Sequence, residues 1–169
     1  MADRKPWYEE VLMPALLRRA RLTYGEAMRR ALQKAGYDDV PKNGLYVIGG
    51  LALGAGAVPL SDIGKALGVS KQSAGQLVDA LVQRGYLERK ADDADRRKLC
   101  VKLTKRGRAA AAAQAEARQK IDAMLLARVG EENVRRTRLT LAVLTEMGLR
   151  AEGAPRKTAA VTSCAGEGS

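Results

Sequence analysis

Apolar positions change period twice between residues 60 and 107. From Ser61, a good N-cap, Ile63, Ala66 and Leu67 recur at helical steps. Gly68 can take the left-handed conformation that closes a helix, and Val69 anchors the turn that follows. Ser70 then caps a second helix whose residues Ala74, Leu77, Val78, Leu81 and Val82 form one continuous stripe. Lys71, Gln72, Ser73 and Gln76 lie off that stripe, near its N-terminal end, and Gly64 is small where the two helices must cross closely. Any surface helix carries a stripe, but two capped helices around Gly68 and Val69 read as a helix-turn-helix. After Gly85 the period becomes two. Residues 86–90 suit one strand, and Leu99, Val101 and Leu103 alternate with Lys98, Cys100 and Lys102 in another. The loop between them, Asp92-Asp93-Ala94-Asp95-Arg96-Arg97, is charged, with no hydrophobic residue larger than alanine, and makes the hairpin a wing.

The flanks read as long helix. Residues 7–35 carry Tyr8, Val11, Leu12, Ala15 and Leu16 on one stripe and Tyr24, Ala27, Met28, Ala31 and Leu32 on another. Pro14 predicts a kink or a short leading turn before the main helix. A stripe this long exceeds what a small winged domain can cover, so the helix is expected to pack on a partner subunit. The apolar, glycine-bearing run at 45–56 is open between helix and buried strand on periodicity alone. Thr104 is the expected cap of an alanine-rich helix with packing positions at Ile121, Met124, Leu125 and Val129. Gly130 breaks it. A last helix over 131–149 would bury Val134, Leu141, Leu144 and Met147, and residues 151–169 read as a disordered tail.

Composition narrows the chemistry. The chain has 169 residues, enough for one domain over 1–150, and a formal net charge of +11. The charge favours a polyanionic partner because Lys71, Arg96, Arg97, Lys98 and Lys102 fall on the second helix and the wing. There is no histidine, so the commonest metal ligand and general base are missing. No pair of carboxylates or lysines is placed for catalysis, and neither an enzyme nor a metal or cofactor site is expected. The N-terminus lacks the apolar core of a secretory signal and no stretch is apolar enough to span a membrane, which points to the cytoplasm. Cys100 and Cys164 are the only cysteines, too few for a disulfide framework. Cys100, on the polar phase of its strand, is expected to be inert rather than an oxidation sensor.

The segment DDADRRKLCVKLTKRGR resembles the wing and following helix of the MarR family of winged-helix transcription regulators. The family's Asp-x-Arg element matches Asp95 and Arg97, and its Leu-Thr-x-x-Gly helix start matches Leu103, Thr104 and Gly107. SKQSAGQLVDALVQRGYLER resembles its recognition helix, so the specific likeness covers 60–107. The resemblance implies a mainly α fold with a small β-hairpin wing. A winged helix-turn-helix over 43–103 would be flanked by dimerisation helices over 7–35 and 104–149, and the run at 43–53 would be helical with the stretch near Val58 pairing against the wing. It also implies a homodimer that binds a pseudo-palindromic double-stranded DNA site, usually as a repressor. Ser70, Lys71, Gln72, Ser73 and Gln76 would face the major groove, and Arg97, steadied by Asp95, would enter the minor groove. Arg96 and Lys98 would meet phosphates, as would the backbone amide of Ser61 unless that residue is a plain cap. Many family members release DNA on binding a small aromatic or anionic effector, for which Arg18, Arg19, Tyr24 and Tyr46 are candidates, although a solvated helix face and ordinary packing explain them equally. The other readings are an architectural protein that coats any duplex by charge and, from a different class, an enzyme or protein-interaction module.

Overall fold

The computed structural model describes residues 5–54, 57–91 and 99–151. A 3-10 turn over Trp7–Glu9 leads into α1 (Met13–Lys34), and Pro14 sits in the first turn of that helix. Proline is tolerated there because the amide it lacks has no intrahelical partner anyway. The outcome is therefore the leading turn rather than a kink. α2 (Gly44–Leu53) follows, then β1 (Val58–Pro59), α3 (Leu60–Leu67) and α4 (Lys71–Gln83). The hairpin strands β2 (Leu87–Ala91) and β3 (Leu99–Leu103) precede the long helices α5 (Lys105–Val129) and α6 (Glu131–Ala151). The sheet is antiparallel in the order β1-β3-β2, with Val58 opposite Val101 and a ladder running from Leu87↔Leu103 to Ala91↔Leu99. The run at 43–53 is helical, and Val58 pairs against the wing as the resemblance implies.

The core gathers Leu32 of α1, Leu45 and Ile48 of α2, Val78 and Leu81 of α4, and Tyr86, Leu87 and Val101 around the hairpin. α5 supplies a stripe of small residues to it, Gly107, Ala110 and Ala111, followed by Gln114. These recur at helical spacing, so the alanine run is a packing face that lets α5 lie close to α1 and α2.

Five expectations are corrected. α3 begins at Leu60 with Pro59 in the cap position, so Ser61 is inside the first turn; the extended Val58–Pro59 pair delivers the chain to the helix one residue early. Ala66 is exposed while Ile63 and Gly64 are buried. Cys100 is fully buried although Lys102, on the same phase of β3, is half-exposed, so alternation along this strand breaks at Cys100. It is also disulfide-bonded, against the expectation of unpaired cysteines. Finally, in the single chain Met124 stays 72% exposed, and Leu125, Val129, Leu141, Leu144 and Met147 are exposed as well, on α5 and on the helix α6 that packs along it.

Candidate nucleic-acid interface

α4 owes its start to Ser70, whose Oγ accepts the Ser73 backbone N–H at 3.1 Å. The Ser70 hydroxyl also donates to Ser73 Oγ at 2.9 Å, so these two residues satisfy one another. Gly68 closes α3 at φ +63, and the Val69 amide returns to the Gly64 carbonyl at 3.1 Å. A Cβ built on Gly64 would lie 3.4 Å from the Ala74 Cβ, which is why the two helices can cross at that point. Ala74, Val78 and Leu81 are buried and seat α4. The opposite face is thereby turned outward: Lys71, Gln72, Ser73 and Gln76 are all exposed, as are Ser61 and Ser70. Among the described residues Lys71, Gln72 and Gln76 have no hydrogen-bond or ion-pair partner of their own.

The hairpin strands are fixed from both sides. Lys102 pairs with Glu88 across the ladder at 2.9 Å, and Arg89 pairs with Asp79 of α4. The last ladder pair, Ala91↔Leu99, sets where the wing tip begins. Asp95, Arg96, Arg97 and Lys98 lie outside the described residues.

A junction built on the expected Thr104 cap, with partners that pattern reading did not find, holds the wing to the rest. Thr104 caps α5 by accepting the Gly107 N–H at 3.0 Å, while its hydroxyl donates to the Gly85 carbonyl at 2.6 Å. The Tyr86 hydroxyl donates to Asp39, and Arg106 donates to Asp39 at 2.9 Å and to the Tyr86 oxygen at 3.1 Å. The Arg106 guanidinium also stacks 4.6 Å from the Tyr86 ring centre. Burial and the Asp39 carboxylate push the Tyr86 phenol up to about 12. Asp39 and Arg106 are 67 residues apart, so no local pattern announces the contact.

Of the effector candidates, Arg18 and Tyr46 line one groove of about 520 Å³ between α1 and α2, joined by Arg21, Arg29 and Lys42. Arg21 stacks 4.6 Å over the Tyr46 ring. Tyr24 points elsewhere and donates to Asp122 of α5 at 2.5 Å, with its phenol raised to about 12 by burial and that carboxylate. Arg19 is exposed and does not line the groove.

Residues 39–98 match the MarR family profile, from the Asp39 junction to the end of the wing loop. The winged-helix segment is thus similar to the MarR family. Its fold recurs in a MarR transcriptional regulator from Methanosarcina mazei, at 16% identity and TM-score 0.69, covering 82% of this chain and 97% of that one. MepR of S. aureus in complex with DNA aligns at 18% identity and TM-score 0.64, over 81% of this chain and 98% of that one. The repressor CouR bound to a 23-mer DNA duplex aligns at 23% identity and TM-score 0.61, over 79% and 92% of the two chains. No curated protein sequence matches. The match over residues 39–98 agrees with the resemblance carried by residues 60–107, and the helices outside the matched segment extend the same fold as in these structures. Among the described residues no helix is long and apolar enough to cross a membrane, and no group of His, Cys, Asp or Glu is placed to hold a metal ion.

Proposed function

We propose that this protein is a sequence-specific DNA-binding transcription regulator of the cytoplasm with no catalytic step, acting as a homodimeric repressor of a pseudo-palindromic operator. The observation that carries the reading is the outward face of α4, where Lys71, Gln72 and Gln76 stand exposed and without intramolecular partners on a helix whose other side is locked into the core. Such a face has its hydrogen-bonding groups available for base edges and phosphates. MepR and CouR, which share the fold, are DNA-bound in their structures. Dimerisation is supported by apolar side chains exposed at both ends of the chain, Trp7, Leu12 and Met13 near the start and Met124, Leu139 and Met147 on α5 and α6. Large apolar side chains exposed in this number on long helices are the kind of surface that a partner chain covers. Release by a small anionic effector is supported by the cationic groove holding Arg18 and Tyr46. Ser61, Ser70 and Ser73 belong to the DNA face as positioning groups, and Arg96, Arg97 and Lys98, with Asp95, to the wing tip.

The test is a fluorescence-anisotropy titration on the DNA upstream of the gene and on scrambled duplex, at several salt concentrations. The regulator binds the first selectively and keeps that preference as salt rises. The double variant Gln72→Ala, Gln76→Ala loses the preference, and Arg97→Ala weakens binding by roughly 1–3 kcal/mol. Equal, salt-labile binding to both duplexes would instead establish the architectural coat.

A further inference from the structure

Gly75 stands in the interior of α4, a helix of 13 residues that begins at Lys71. Glycine is the least favourable residue inside a helix after proline, so its presence there needs a reason. The fold supplies none. Its φ is not in the left-handed region, unlike those of Gly36, Gly68, Gly85 and Gly130. A Cβ added to it would meet nothing within 4 Å, whereas one added to Gly64 of α3 would lie 3.4 Å from the Ala74 Cβ. Gly50 and Gly148 share that freedom but lie on α2 and α6. Gly75 lies instead on the helix whose outward residues Lys71, Gln72 and Gln76 have no intramolecular partner among the described residues.

Its surroundings show what the open volume suits. Lys71, Gly75 and Asp79 follow one another at steps of four and so form one row along the helix. Lys71 and Asp79 are exposed, and Asp79 is tied to β2 by Arg89, which puts the row on the side of α4 towards the hairpin. Gln72, three residues before Gly75, and Gln76, next in sequence, border the same spot on the outward side. Gly75 is therefore a notch in an otherwise filled face. The floor of the notch is helix backbone past the first turn, whose N–H is spent on the helix itself. With no spare donor there, and a carboxylate one turn further on, the notch suits an apolar group and not a phosphate.

We propose that Gly75 is a specificity-determining position, at which the notch receives the C5-methyl of a thymine when α4 lies in the major groove. The inference rests on the DNA reading proposed above. The thymine methyl is the apolar group that base edges present in that groove. Glycine lets it reach the helix backbone, while Gln72 and Gln76 stay available to neighbouring base edges. An alanine would place its own methyl in the same volume. The chain thus gives up helix stability at Gly75 for a hole that matches one chemical group on the duplex.

The probe is the duplex that the wild-type chain selects from a random-sequence pool, synthesised once with thymine and once with deoxyuridine, which lacks only the C5-methyl. Fluorescence anisotropy measures both duplexes against wild type, Gly75→Ala and Gly50→Ala, and circular dichroism gives each Tm. Wild type binds the thymine duplex about tenfold more tightly than the deoxyuridine one. Gly75→Ala melts above wild type, because helix propensity rises in open space. It nevertheless binds the thymine duplex about tenfold more weakly than wild type does, and the deoxyuridine duplex at least as well as the thymine one. Gly50→Ala also melts higher and keeps wild-type affinity and preference. A wild-type chain indifferent to the methyl overturns the notch and leaves DNA reading intact, as does a Gly75→Ala chain weakened equally on both duplexes or on neither. A lower Tm for Gly75→Ala overturns the premise that the space is open. Selection of no duplex by the wild-type chain would overturn the DNA reading itself, and the notch with it.

Discussion

Replacing Gly107 by alanine tests what the Leu-Thr-x-x-Gly element is for. Gly107 is buried in the first turn of α5, and a Cβ there would stand 2.1 Å from the backbone carbonyl oxygen of Tyr86 and 3.0 Å from a Leu103 methyl. Ordinary C···O contact is about 3.3 Å, so something must move by roughly 1 Å. The obstructing atom cannot rotate away, because it is backbone and already accepts the Thr104 N–H at 3.1 Å. Overpacking of this kind costs about 1–3 kcal/mol, and here the upper part of that range applies. Displacing α5 also loosens the Thr104 cap, for about 1 kcal/mol more. Against this, alanine gains about 1 kcal/mol of helix propensity over glycine. The net is a destabilisation of about 2–3 kcal/mol, or roughly 5–10 °C in Tm for a chain of this size. The internal control is Gly50→Ala in α2, where nothing lies within 4 Å of the added methyl, and which should stabilise by about 0.5–1 kcal/mol. Melting curves by circular dichroism, at one fixed protein concentration, compare the two. A Gly107→Ala protein as stable as wild type would refute the close approach as the reason for the glycine, because propensity alone predicts the opposite sign.

Ser70→Ala removes the acceptor for the Ser73 amide and should cost about 1 kcal/mol of stability; Ser70→Asp should keep the cap yet weaken DNA binding by placing an anion on the reading face, and equal affinities for wild type and Ser70→Asp would remove Ser70 from the interface. Tyr24 and Tyr86 both have phenols raised from 10 to about 12 by burial and a facing carboxylate. A group whose folded value is raised contributes stability that is complete below its unfolded value, so these two contributions are whole below pH 10 and lost as pH climbs through about 12. Denaturation midpoints measured across that window should fall less steeply in Tyr24→Phe and Tyr86→Phe than in wild type, and an unchanged slope in both would refute the assignment.

What the sequence made legible follows from how local each feature is. The helix-turn-helix depends on contacts a few residues apart: the Ser70 cap, the left-handed Gly68, the small Gly64 against Ala74. Each writes itself into residue types at fixed spacing. Alternation along β3 failed at Cys100 because it assigns a whole face to solvent, whereas this face is covered at Cys100 and open only at Lys102. The stripes on α5 and α6 were found, but a stripe declares an apolar face without naming what covers it, so Met124, Leu144 and Met147 were assigned to a core from which a single chain leaves them exposed. Tyr24 was set beside Tyr46 as a candidate effector contact, yet Asp122, 98 residues away, is its hydrogen-bond partner.

The Thr104 and Gly107 junction shows that the family likeness has two physical sources. Lys71, Gln72 and Gln76 are exposed and carry no intramolecular load, so whatever they do for the fold could be done by other polar residues. Thr104, Gly107 and Tyr86 are the reverse: they face inward, and their residue types are dictated by a 3.0 Å cap and a carbonyl that leaves no space for a methyl. They tie the exit of α4, the second strand of the hairpin and the start of α5 into one joint, and Asp39 and Arg106 bring the α1–α2 connection into it. A wing anchored this way cannot tilt relative to α5 without breaking the Thr104 and Arg106 hydrogen bonds. Any ligand that spreads α5 from α2 must therefore act on α4 and the hairpin together, as one rigid body. The motif that identifies the family by sequence is thus the joint through which such a movement would have to pass, and the residues that would read DNA ride on it.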